Sequence, residues 1–260
     1  MNTGRRLTTD VRVDRFHPAA RLSPAVRVAA ATTLVLGAGL QAASWLMYAG
    51  LDLAATYRLV AAGAGRPDMS LALNTLATPF WIAGVAVYVL LGRIRSPRLA
   101  WIGGTLLVVG LTGLATNHGT EIMTYSMVQN AIIDPTQADH ATRTLESLPA
   151  VVTNIMFLVG VVLGIPLTAA ALWRSRAVPR VAAALLVAFL AVDLTGQGTG
   201  IGAIGAIAHI LALIAASWIA VTVMRTPPLQ LLPGPDRSQE QFDADATKRA
   251  TRTSCQKFSA

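Results

Sequence analysis

Six stretches of this chain, at about residues 28–50, 71–92, 99–117, 149–173, 179–197 and 199–224, are apolar for long enough to cross a lipid bilayer, which takes roughly 20 helical residues. No other feature constrains the fold as strongly. A backbone inside hydrocarbon must satisfy its own hydrogen bonds, so each stretch has to be helical. The expected fold class is all-α, a polytopic membrane bundle of six transmembrane helices. Composition agrees: 13% of the residues are charged, where a soluble domain carries roughly 25%.

The 21 Lys and Arg residues divide unevenly among the connections. Alternate connections, counted from the N-terminal arm, hold 18 of them, and the others hold only Arg58, Arg66 and Arg143. The positive-inside rule then places both termini in the cytoplasm. Residues 1–27 read as a basic cytoplasmic arm, 118–148 as an outer acidic loop, and 225–260 as a disordered cytoplasmic tail. The charged region before the first apolar stretch is too long for a signal peptide, so a retained anchor is expected. The high Ala, Gly and Arg usage resembles that of a high-GC bacterium, so the expected location is a bacterial plasma (inner) membrane, multi-pass.

The net charge of +8 does not point to nucleic acid, because the basic residues form no groove-lining run with interleaved aromatics. They flank apolar spans, where Arg meets lipid headgroups. The single cysteine, Cys255, can make no internal disulfide, and no Cys/His spacing suggests zinc. No metal or cofactor is expected.

Within the acidic loop, "EIMTYSMVQNAII" places Ile122, Tyr125, Met127, Val128 and Ile132 at spacings that suit a short helix lying on the membrane surface. Asp134-Pro135 is expected to end it. Ser147 and Pro149 read as the cap and first turn of the fourth span.

"DLTGQGTGIGAIGAIAHIL", residues 193–211, contains Gly200-x-Gly202-x-x-Gly205, the spelling of a dinucleotide-binding turn. Such a turn needs an acid about 20 residues further on to hold the ribose. The following segment, "AIAHILALIAASWIAVTVMR", has none and is a complete membrane span. Helical spacing gives a better account: positions 198, 202, 205, 209, 212 and 216 read Gly, Gly, Gly, His, Ala, Ala. A stripe of small residues lets membrane helices approach closely, and His209 on that stripe is expected to point into the bundle.

The intramembrane polar residues concentrate in the outer halves of the spans. Asn74 lies in the second span, Asn154 in the fourth, Asp193 and Gln197 in the fifth and His209 in the sixth. His118 and Glu121 are expected at the outer end of the third, within reach of water. An Asp at mid-membrane costs roughly 2.5–3.5 kcal/mol on insertion scales. The bland role for Asp193, Gln197 and Asn154 is to link helices by hydrogen bonds. The functional role is to converge with Asn74, His118, Glu121 and His209 on one outward-opening polar pocket. Pro79 and Pro166 would kink their helices and offer backbone carbonyls to its lining.

The link "LWRSRAVPRVAAALLVAFL" (172–190) resembles the Ser-basic-x-Val-Pro-Arg turn that joins two late helices in a group of uncharacterised bacterial membrane proteins of about six spans. The turn here is Ser175-Arg176-Ala177-Val178-Pro179-Arg180, and the resemblance extends over residues 149–224. It implies a helical bundle and brings no catalytic residues with it.

Three functions fit the pattern. The first is a non-enzymatic membrane component, ligand-binding, sensory or accessory, whose partners would be membrane lipid and a small apolar or amphipathic ligand. The second is an intramembrane enzyme acting on a lipid or isoprenoid, with Asp193 or Glu121 as acid and His209 or His118 as base. The third is a small transporter, which the apolar inner halves and the lack of an inverted repeat disfavour.

Overall fold

A computed structural model describes residues 23–144 and 147–225. The basic arm up to residue 22, Glu146 and the tail from residue 226 lie outside the described residues. Among the described residues the chain forms eight helices and no strand: α1 (Pro24–Tyr48), α2 (Leu53–Ala61), α3 (Gly65–Gly92), α4 (Pro97–Gln129), α5 (Pro135–Thr144), α6 (Leu148–Ser175), α7 (Arg180–Thr199) and α8 (Gly202–Arg225). Six of these, all but α2 and α5, are long and apolar enough to cross a membrane. The chain is a multi-pass membrane protein.

Local chemistry sets the helix starts. Ser23, Asp52 and Ser147 each accept a hydrogen bond from the backbone N–H three residues on, satisfying one of the free donors at a helix N-terminus. The Asp134-Pro135 pair begins a helix here, contrary to the stop expected of it. Its carboxylate accepts from the N–H groups of Thr136 and Gln137, and the Gln137 side chain accepts from Asp134 N–H in return, a reciprocal capping box. Arg66 closes the far end of α1 by donating to the carbonyls of Met47 and Ala49.

The third span does not end at residue 117. α4 runs unbroken to Gln129, about 50 Å at 1.5 Å per residue, well beyond a hydrocarbon core of about 30 Å. The segment assigned to a surface helix is therefore the protruding end of α4. Its Tyr125 and Val128 turn inward to form a small core with Tyr57, Val60, Leu71 and Ala138 from α2, α3 and α5, while Ile122, Met123 and Ile132 remain exposed. Two polar contacts hold this extension: Tyr48 Oη pairs with Tyr125 Oη at 2.8 Å, and Gln129 Nε2 donates to both oxygens of Asp68. α2 and α5 thus cap one end of the bundle. The opposite end carries Arg93, Arg95, Arg98, Arg174, Arg176, Arg180 and Arg225, at the helix ends and turns, and is called the arginine end below.

The six long helices pack as a ring in the order α1, α3, α4, α6, α7, α8, and α8 closes back on α1. Neighbours run antiparallel, as Ser44–Ser70, Asn74–His118 and Asp193–His209 show. The seam between α4 and α6 is lined with glycine. A Cβ on Gly110 would lie 2.9 Å from the Val161 nitrogen, and one on Gly113 would lie 2.6 Å from the Thr153 carbonyl oxygen. Gly160 faces Gly110 directly. At the arginine end α3 also touches α6 across the ring, with Gly92 set against Ala171. The ring is pinched there.

The 175–180 turn explains its own motif. Ser175 Oγ accepts from Ala177 N–H, Arg176 takes a left-handed conformation, Val178 is buried, and Arg180 lies over the Trp173 ring at 5.4 Å. α3 and α6 continue through Pro79 and Pro166, and both prolines are exposed on the outer surface of the bundle. Gly198, assigned by spacing to the small stripe of the last helix, belongs to α7 and is exposed.

Replacing Gly160 by leucine would drive a side chain into the α4 backbone. We expect a loss of about 3 kcal/mol, measured as a lowered unfolding midpoint in detergent. Gly119→Leu, at a position with open space around its Cβ, should shift the midpoint by less than about 1 kcal/mol.

Candidate functional site: a polar-to-apolar cavity inside the ring

Because α4 continues past residue 117, His118 lies inside the bundle and is only 3% exposed, away from the water-reached position expected of it. The Asn74 side-chain amide donates to His118 Nε2 at 2.9 Å. Thr78 Oγ1 donates to the Asn74 carbonyl, and His118 Nδ1 lies 3.4 Å from that hydroxyl oxygen. An imidazole that accepts at Nε2 and donates from Nδ1 is neutral. Glu121, one turn towards the capped end, is half-buried beside Tyr48 and Tyr125.

Across the ring, the close approach of α7 and α8 produces the second polar group. A Cβ on Gly196 would lie 2.8 Å from the Gly205 nitrogen, so the two backbones meet there. One turn deeper, Asp193 and His209 face each other, both buried. Gln197 Nε2 donates to Asp193 Oδ2 at 2.6 Å. His209 Nδ1 donates to the Gly205 carbonyl at 2.9 Å and stands 3.8 Å from Asp193 Oδ1, beyond hydrogen-bonding distance. The imidazole is stacked on Trp45 (5.0 Å, 13°) and meets the edge of Phe189 (5.2 Å, 73°).

The three glycines of the motif have separate structural tasks. Gly200 supplies the left-handed turn between α7 and α8, with φ of 69°. Gly202 lies against the Tyr48 carbonyl, and Gly205 lies under the Trp45 ring.

All seven residues singled out from sequence line one cavity of about 890 Å³. Asn74, His118, Glu121, Asn154, Asp193, Gln197 and His209 reach it from five different helices. The cavity is polar towards the capped end, where Thr142 and Ser147 also contribute to its wall. Towards the arginine end the wall becomes apolar, with Val85, Leu107, Phe157, Val161, Ile165 and Leu186. Five buried side-chain atoms on this wall have no hydrogen-bond partner: Asn74 Oδ1, Asp193 Oδ1, Trp81 Nε1, Tyr88 Oη and Thr168 Oγ1. A buried polar group left unsatisfied costs about 1–3 kcal/mol. Among the described residues no group of three or more His, Cys, Asp and Glu is arranged to hold a metal.

Sequence reasoning missed the aromatic wall of Trp45, Trp81, Tyr88 and Phe189, along with Thr168 near the arginine end. Tyr88 and Thr168 are polar residues in otherwise apolar half-spans, and that was the available signal. Trp45 and Phe189 carried none, since an aromatic residue in a membrane helix looks the same facing lipid or cavity.

If the Asn74–His118 bond holds α3 to α4, then Asn74→Ala and His118→Ala should be non-additive by about 1 kcal/mol in a double-mutant cycle of unfolding. Strict additivity would mean the bond does not form.

Comparison of the chain with protein-family models, with curated proteins and with solved structures found no significant match. The likeness of its 172–190 turn to that of other six-span proteins rests on those residues alone.

Proposed function

We propose that the protein binds a small amphipathic ligand in this cavity without transforming it. It would act as a sensory or accessory component of a bacterial plasma membrane with both termini in the cytoplasm. The observation that carries the reading is the cavity's polarity gradient: hydrogen-bonding groups from five helices at one end and an apolar wall at the other. Its volume, about 890 Å³, lies within the roughly 300–1,000 Å³ typical of small-molecule sites. The gathering of arginines at one end of the bundle supports the orientation through the positive-inside rule.

The approach of Asp193 to His209 favours a second reading, an intramembrane acid/base enzyme acting on a lipid or isoprenoid. Against it, His209 Nδ1 donates to the Gly205 carbonyl and not to the carboxylate. Asp193 therefore does not orient the imidazole as the acid of a catalytic pair does.

Val161→Trp or Leu186→Trp would fill the apolar half of the cavity. A bound amphipath at 100 times its Kd should stabilise the wild-type protein by about 2.7 kcal/mol, read as a raised thermal midpoint in maltoside micelles. Both filled variants should lose that response. A full response in both would place binding elsewhere. Chemical conversion of the amphipath, lost in a folded His209→Ala variant, would favour the enzyme.

A further inference from the structure

The polar layer of the cavity is unbalanced in charge and in hydrogen-bonding capacity. Two carboxyls, Glu121 and Asp193, and two imidazoles, His118 and His209, line the cavity, and among the described residues no Lys or Arg does. His118 is neutral by its hydrogen bonds, as argued above. Of the capped-end arginines, Arg58 and Arg66 donate to backbone carbonyls of α2 and α1. The two orphaned atoms of this layer, Asp193 Oδ1 and Asn74 Oδ1, are both acceptors. Asp193, a lining residue, is 6% exposed; its Oδ2 is held by Gln197, and its Oδ1 has no hydrogen-bond partner and lies 3.8 Å from His209 Nδ1. Acceptors left over in a low-dielectric space, two carboxyls among the lining groups, and no Lys or Arg on the wall among the described residues all call for the same complement.

We propose that the polar end of the cavity is a cation site, and that the ligand is a lipophilic amine bound as its ammonium. Its N–H groups would meet Asp193 Oδ1 and Asn74 Oδ1, with Glu121 as the second carboxyl. Its apolar body would extend along the wall towards Val161 and Leu186. Anionic amphipaths such as fatty acids and lipid phosphates are disfavoured, since their heads would meet carboxyls and find no cation. This inference deepens the ligand-binding reading and rests on it.

Three probes with one chain length separate the two claims: decylammonium, decanol and decanoate. Binding to the full chain in maltoside micelles would be measured by the thermal midpoint, with protein-free micelles correcting for partitioning. The expected order is ammonium, then alcohol, then carboxylate, with about tenfold or more between the first two, as one added buried charge contact implies. Asp193→Asn and Glu121→Gln should each weaken decylammonium about tenfold and affect decanol much less. If decanol binds as tightly as decylammonium, the cation assignment is wrong and the amphipath cavity stands. If none of the three binds in a manner blocked by Val161→Trp, both claims are overturned. Should Asp193→Asn not fold, the wild-type charge series and Glu121→Gln still decide between these outcomes.

Discussion

A leucine gains nothing by leaving lipid for the side of another helix, so apolar burial does not draw these six spans together. Close approach of backbones does, at positions where small residues permit it. The α4–α6 seam at Gly110 and Gly160, the α7–α8 contact at Gly196 and Gly205, and the α3–α6 pinch at Gly92 and Ala171 are all of this kind. Each fixes the relative height of two helices, and those heights decide which polar side chains meet. Asp193 faces His209 because one turn away Gly196 and Gly205 leave no room for any other register.

Tight seams around the circumference leave a space in the middle. Six helices in a ring do not fill their own centre unless large side chains point inward, and His209 is the only α8 residue on the cavity wall. The cavity is thus a consequence of the glycine and alanine packing that closes the ring, and its chemistry comes from whatever side chains the ring order presents to it.

Much of the fold was legible because lipid imposes a simple grammar. Span length, arginine alternation and the Ser and Pro starts each follow from one physical rule, and α1, α6, α7 and α8 begin or end within a few residues of where those rules put them. The rules failed where the chain leaves the hydrocarbon. Residues 118–129 remain helical without being apolar enough to register as a span, held by Tyr48, Tyr57 and Asp68, contacts of long sequence separation. The polar half of the cavity was legible because ionisable groups in lipid must face inward. The aromatic wall was not, for the physical reason that tryptophan and phenylalanine are content on either side of a membrane helix.

The same geometry bears on transport. A carrier must expose its site alternately to both sides, by rocking one group of helices against another about that site. Here the arginine end is shut by contacts between backbones: Gly92 on Ala171, Gly103 on Thr168 and Gly164 on Leu107. Opening it would separate α6 from both α3 and α4, with no polar residue below Thr168 on the cavity wall to receive a ligand on the way out. The polar groups instead gather at the capped end, where α2 and α5 lie over the bundle and Tyr57 Oη bonds Thr142 Oγ1 across the two short helices at 2.7 Å. Polar groups gathered at one end and backbone contacts shutting the other favour the proposed binding role over carriage.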